Sequence, residues 1–399
     1  MIVVTEGPLA GIRVIDFSRV IAGPFCGRLL ADQGAEVIKV EPPQRDITRT
    51  APPLVDGFSA YYTHVNAGKL GLCVDLGDAE VAALIGRLVD GADVVIENFR
   101  PGTLAPYGLD AGTTRGRNPR LVYCSISGYG QHGVWSARRA YAPVVHGEAG
   151  LIASNARLHD APARPEAMSH ADFQAGLIAT GAITTALFAR ERTGEGAHLD
   201  VSLAEASLYA NEFGGPELSG QTGPATYAGA ASLVLELADG TRVVTQGNPA
   251  DNFKQWARAM GRPELTKDDR FERHRDRLRH RDEICEMILA FAKECASFEA
   301  LHEKVDPHRI AVGIVRSVPQ LAETEWAKER ELVAEPVPGL RFARAPYRSS
   351  HGRVEARGRG PKRGEHNVEV LRRLLGVEPD VLDALHERGA LIASDDGYH

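Results

Sequence analysis

Apolar positions along this chain switch between two spacings, and the switch recurs. Residues 12–17 alternate and read as a buried strand, and residues 18–24 are a loop with Pro24 placed to open a helix. Residues 25–33 carry helical spacing, Gly34 suits a helix end, and residues 35–40 give a second strand. The unit returns downstream. Val81, Leu84, Ile85, Leu88 and Val89 share one helical face, Gly91 stops that helix, and residues 93–96 and 121–126 read as further strands. Strands alternating with helices predict a mostly parallel sheet covered on both faces.

The strongest helical segment runs over residues 169–192, with Ala175, Gly176, Ala179 and Ala182 small enough to permit close packing. RTGEGAHLDVSL then gives a turn and a strand over 198–203. Beyond that the character changes. Residues 211–231 are rich in Gly, Pro and Thr and read as a linker. Residues 232–237 and 241–245, around Ala238-Asp239-Gly240, read as a hairpin. Helices over 251–261 and 281–297 and a strand within 309–315 complete a small α/β domain. Residues 341–363 carry eight Lys/Arg against one acid and read as an extended, solvated return path, and helical periodicity resumes at Val368.

Composition narrows the function classes. The 399 residues are 43% hydrophobic and 25% charged, which fits a globular chain of two domains, or one large domain with an appendage. With 46 Lys+Arg against 53 Asp+Glu the net charge is -7, which argues against nucleic acid as the main partner. The longest apolar stretch, 175–189, is about 15 residues with three threonines, short of the ~20 that a membrane span needs. MIVVTEGPLAGIRVIDF has neither a basic start nor a cleavage site. Five cysteines without a C-x-x-C suit a reducing cytoplasm, the expected location.

Most familiar chemistries fail on spacing. The first turn, SRVIAGPFCG, lacks G-x-G-x-x-G, although Glu41 lies where a ribose-binding acid would. There is no phosphate-binding G-x-x-x-x-G-K-[ST] and no G-x-S-x-G elbow. The histidines are dispersed, so no metal site is expected. Cys26 reads as a small core residue. One feature stands out: Ser169-His170-Ala171-Asp172 opens the longest apolar helix. It reads first as a capping-box variant, and the same physics allows a carboxylate held ionised by helix N–H groups, available as a nucleophile. The local sequence leaves both open.

PLAGIRVIDFSRVIAGP, GAEVIKVEPP, GADVVIENFRPG, SISGYG, SHADFQAG, RTGEGAHLDVSL and RGEHNVEVLRRLLG, in that order, make the chain resemble the class III CoA-transferases. That family contains formyl-CoA transferase, carnitine CoA-transferase and the α-methylacyl-CoA racemases. The resemblance implies an acyl-CoA:carboxylate CoA-transferase with Asp172 as nucleophile, working through aspartyl anhydride and aspartyl-CoA thioester intermediates. Coenzyme A and its acyl thioesters are then substrates, with no permanently bound cofactor and no metal. Val20, Ile21 and Ala22, Lys69, Asn98 and Phe99, Arg139 and Tyr141 match positions that contact CoA. A nucleotide with about four negative charges needs local cations even in an acidic protein. Pro42 and Pro106 stand where some members have arginines, so Arg45, Arg49 or Arg100 would have to compensate. The stretch 229–234 is too short for the glycine-rich loop of members that handle oxalate.

The implied architecture is a Rossmann-like large α/β domain from residues 1–205 and 341–399, a small α/β domain over 228–325, and linkers at 206–227 and 326–340. In this family two subunits thread through each other, so an interlocked homodimer is implied, with the active site between large and small domains. Two alternatives remain. A racemase needs a His upstream of the catalytic aspartate, where this chain reads Ala140-Tyr141-Ala142, and His146 lies five positions on. A non-catalytic acyl-CoA-binding protein would need no nucleophile at all.

Overall fold

The computed structural model describes residues 6–227, 232–350, 352–355 and 357–392. The chain separates into two compact units, one of residues 1–151, 165–211 and 325–399, the other of residues 152–164 and 212–324.

The first unit begins as the apolar pattern predicts. Strand β1 (Arg13–Asp16) leads into helix α1 (Ala22–Asp32) and strand β2 (Glu36–Glu41). A small hairpin, β3 (Leu54–Val55) and β4 (Phe58–Ser59), precedes α2 (Ala60–Asn66). There follow β5 (Leu70–Cys73), α3 (Ala79–Asp90), β6 (Val94–Glu97), α4 (Ala111–Arg117) and β7 (Val122–Ser127). The chain continues through α5 (Ala142–Glu148), α6 (Leu151–Leu158), α7 (His170–Thr193), β8 (His198–Ser202) and α8 (Leu203–Tyr209).

Six strands form one sheet in the order β5-β2-β1-β6-β7-β8, and every pairing is parallel. Alternation along each strand fills both faces. Val14, Val37, Val94, Val122 and Cys124 pack with residues of α1 and α7, such as Leu30, Ala175 and Ile183. Ile15, Ile38, Val95 and Tyr123 pack on the other face with α3 and the helices Asn367–Leu375 and Pro379–Glu387. The strand order reverses between β1 and β6, and in such sheets ligands bind beyond the carboxyl ends of the strands at that point.

The edge strand β5 is covered by the returning tail. The Gly71 and Cys73 N–H groups donate to His366 Nδ1 and Asn367 Oδ1, each at 3.0 Å, and Leu391 bridges Val74 in antiparallel fashion.

Two segments read as linkers hold structure. Within 326–340, β12 (Val333–Val337) pairs antiparallel with β13 (Leu340–Ala343) in the first unit, turning at Gly339 with φ +80°. The basic tail therefore starts as the second strand of a hairpin, which Pro336 and Pro338 disguise in the sequence. Within 206–227 lie the end of α8 and short helices at Gly214–Leu218 and Pro224–Tyr227. Residues 152–164, read as large-domain, group with the second unit, where Ser154 and Arg157 bond to Glu217.

The second unit carries an antiparallel three-stranded sheet, ordered β11-β10-β9, from β9 (Val234–Glu236), β10 (Arg242–Thr245) and β11 (Val312–Ile314). Trp256, Phe253, Phe271 and Ile288, all fully buried, centre its core. Part of the short stretch set against the oxalate-type loop, residues 229–231, lies outside the described residues.

Candidate active site

Asp172 occupies the first turn of α7, three residues after the N-cap Ser169. It is partly buried, and burial pushes its carboxyl up to about 6, against hydrogen bonds from the backbone N–H of Ala22 and from its own. Ala22 is the first residue of α1. Two helix N-termini thus converge on one carboxylate, and both favour negative charge there. The helices can approach because Gly176 faces α1: a Cβ there would lie 2.9 Å from the Ala22 carbonyl oxygen.

The loop that delivers Ala22 is held from several sides. Val20 has φ +68°, a left-handed conformation costly for a β-branched residue. Its N–H donates to Asp46 Oδ2 at 3.0 Å. The preceding residue is clamped twice by Asn98, which accepts from the Arg19 N–H and donates to the Arg19 carbonyl, both at 2.7 Å. Beneath the loop, Lys39 Nζ donates to the Ser18 carbonyl at 2.8 Å. Burial opposes the charge on Asp46, but Lys39 and the N–H groups of Thr48 and Val20 hold its carboxyl below its usual value.

Lys69 belongs to this foundation. Its ammonium is buried and donates to Asp16 Oδ2 (2.7 Å), the Pro24 carbonyl (2.7 Å) and Asn66 Oδ1 (2.9 Å). Burial pushes it down to about 8, partly offset by Asp16. All three donors are engaged inside the protein, so none remains for a phosphate. The reading of Lys69 as a nucleotide contact is replaced by a structural one, because the residue lies under the loop and not on its surface.

The other expected contacts fall in two groups. Val20, Ile21, Ala22 and Asn98 come together at the ends of β1 and β6. Phe99 follows Asn98 but packs against the core on the opposite face from α1. Arg139 and Tyr141 are exposed, with Tyr141 the N-cap of α5. Of the compensating arginines, Arg49 is buried, paired with Glu41 and bonded to the Tyr62 hydroxyl at 2.6 Å, which removes Glu41 from ligand binding as well. Arg45 and Arg100 are exposed, and Arg100 lines a cleft of ≈ 290 Å³ with Pro101, Gly102 and Thr103.

Sequence reasoning missed Tyr61. This residue of α2 bonds through its hydroxyl to the Ser169 side chain, and burial followed by the Asp172 charge raises its phenol. Its neighbour His64 stands with Phe25 and Phe173 in an aromatic cluster, where burial and then Arg28 push the imidazole down to about 4. Neither residue has a local signal, since each matters only once α2 is set beside α7. Cys26 is core as read, its thiol pushed up to about 12 by burial. Among the described residues no cluster of three metal-ligating side chains occurs.

The family model for CoA-transferase family III matches residues 9–367. The chain belongs to that family. This family III CoA-transferase is 33% identical to a succinate–glutarate CoA-transferase of Agrobacterium fabrum over 391 residues, covering 93% of this chain and 96% of that one. It is 32% identical to a succinyl-CoA–D-citramalate CoA-transferase of Chloroflexus aurantiacus, with 96% and 97% covered. Among solved structures it is similar to a CaiB/BaiF family protein from Brucella suis, at TM-score 0.79 and 32% identity, covering 92% of this chain and 100% of that one.

Proposed function

We propose that this CoA-transferase moves CoA from an acyl-CoA to a carboxylic acid through covalent intermediates on Asp172. The observation that carries the reading is the Asp172 carboxylate held by the Ala22 N–H at the meeting of two helix N-termini. A carboxylate oxygen of Asp172 attacks the thioester carbonyl. Attack expels CoA thiolate and forms a mixed anhydride. The thiolate then attacks the Asp172 carbonyl, releasing the donor acid and leaving an aspartyl-CoA thioester. The acceptor carboxylate attacks that thioester, and returning thiolate takes the acceptor's acyl group and frees Asp172. When the Asp172 carbonyl is attacked, the Ala22 N–H beside that carboxyl is the donor that would stabilise the developing oxyanion. One thioester replaces another, so no other energy source is needed.

CoA would lie along Val20, Ile21, Ala22, Asn98 and Phe99, with Tyr141, Arg139, Arg45 and Arg100 toward its polar end. Lys69 and Arg49 are not in that set. The relatives' names point to dicarboxylic acids and their CoA thioesters, so succinyl-CoA is the first donor to test. The racemase alternative loses support: His146 is fully buried, and its Nε2 accepts the Ala171 N–H at 3.0 Å.

We also infer an interlocked dimer. The middle of helix α7, residues 175–189, carries no charged residue, yet it leaves Leu177, Ile178 and Phe188 exposed, at 55%, 36% and 65%. A helix of that kind is ordinarily covered all round. The reading also places the enzyme in the cytoplasm, consistent with five cysteines that stay free and buried.

Incubation with succinyl-CoA, followed by trapping and mass spectrometry, tests the mechanism. An acyl or CoA adduct on the peptide containing Asp172 is expected, and Asp172→Ala should abolish both adduct and transfer. Transfer above a few per cent in that variant would remove Asp172 as nucleophile. Solvent deuterium entering the α-carbon of a 2-methylacyl-CoA with no acceptor acid present would favour the racemase.

A further inference from the structure

The start of α7 has an unusual cap. The first four N–H groups of a helix lack partners within it, and an N-cap Ser normally satisfies one of them. Ser169 does not: it makes no side-chain cap bond to α7, and its hydroxyl meets Tyr61 instead. The Ala171 N–H, next to Asp172, is nevertheless satisfied from another helix. His146, in the last turn of α5, accepts it at Nε2 over 3.0 Å in a fully buried contact.

This bond fixes the state of the ring. A nitrogen that accepts a backbone N–H carries no proton, so the proton sits on Nδ1, which has no hydrogen-bond partner among the described residues. The ring is therefore a neutral acceptor. Burial, opposed by Glu166 and reinforced by His170 at 6.2 Å, pushes its pKa below the usual value.

We propose that His146 is a positioning residue for Asp172, supplying from α5 the side-chain cap that Ser169 leaves unmade. This rests on the reading of Asp172 as nucleophile. Releasing the Ala171 N–H would leave a buried donor unpaired and loosen the first turn of α7. Asp172 would then drift from the Ala22 N–H on which the chemistry depends. The same helix begins at Tyr141, so an acyl-CoA seated there abuts the element that holds the nucleophile in place.

Two substitutions separate the cap from simple packing. His146→Leu fills the space without an acceptor, and His146→Gln keeps an oxygen at similar reach. Hydrogen exchange read by mass spectrometry reports the Ala171 amide directly, because an N-terminal helix amide is protected only by such an outside partner. In H146L we expect protection over residues 170–173 to fall, and kcat to drop about tenfold, the size of a lost cap bond, with KM for acyl-CoA little changed. In H146Q we expect most of both to return. A packing role predicts the reverse order, with H146L the better variant. Unchanged exchange in H146L, or a H146Q that behaves like H146L, would overturn the cap. Lost protection with full kcat would overturn the positioning. Failure of the nucleophile reading shows separately, as transfer retained in Asp172→Ala whatever the exchange data give.

Discussion

Asp172 must be ionised to attack, yet it sits where ionisation is disfavoured. Burial lifts its carboxyl from an ordinary value of 3.8 to about 6. Activity should therefore fall as pH drops through about 6, since only the carboxylate is a nucleophile. Stability should move the opposite way. The folded state holds this proton more tightly than the unfolded one, so the associated stability is complete below 3.8 and lost as pH rises through about 6. Asp172→Asn removes that titration. Denaturant melts should show the variant gaining on the wild type between pH 4 and 6 and keeping its lead at pH 7.5, while being inactive. Equal pH dependence in both proteins would show that the carboxyl titrates normally. At this scale a candidate residue is legible in the sequence but its surroundings are not. S-x-x-D marks a cap and a carboxylate alike, and Ser169 holds the N-cap position while its side chain makes no cap bond. Lys69 matched a contact position in one dimension and is buried in three, because nothing near it in sequence announces Asp16 or the Pro24 carbonyl.

Between elements, the decisive fact is how closely α1 and α7 approach. Gly176 makes room for the Ala22 carbonyl, and a methyl group at that position would also lie 3.1 Å from Phe25. Backbone cannot yield as a side chain can, so Gly176→Ala should destabilise by about 1–3 kcal/mol, typical of overpacking. It should also push α1 away from Asp172 and lower kcat at least about tenfold, as loss of an oxyanion donor does. Gly86, inside α3 with nothing within 4 Å, provides the contrast. Gly86→Ala should stabilise by up to ~1 kcal/mol and leave kcat unchanged. Melting and steady-state rates on the pair decide whether helix spacing or glycine content matters. Alternating apolar spacing was enough to read β1, β2, β6 and β7, and small residues in α7 announced close packing. The hairpin of β12 and β13 was not legible. Its strands are short and alternate weakly, with Pro336 in the first strand and Pro338 in the turn, so pairing depends on a partner strand that local pattern does not reveal.

For the molecule as a whole, the parallel architecture followed from alternating strands and helices, whereas the grouping of 152–164 with 212–324 did not, since one short helix gives no sign of which core it joins. If two copies interlock, the mass in solution should be twice 43.0 kDa and should survive dilution. Differently tagged subunits mixed after folding should not exchange over hours, because linked chains separate only by unfolding. A monomer, or rapid exchange, would refute the linkage. The cover over β5 has a different consequence, for synthesis. The partners of Gly71, Cys73 and Val74 lie near residues 366 and 391. While the chain emerges from the ribosome, β5 has no cover until some three hundred further residues have been made. Residues 212–324 can already condense around Trp256 during that interval, but the large sheet waits with an open edge, a template for pairing with a neighbouring nascent chain. Translation speed through the last segment, and chaperones that shield strand edges, should therefore set the yield of this enzyme more than the strength of its finished core.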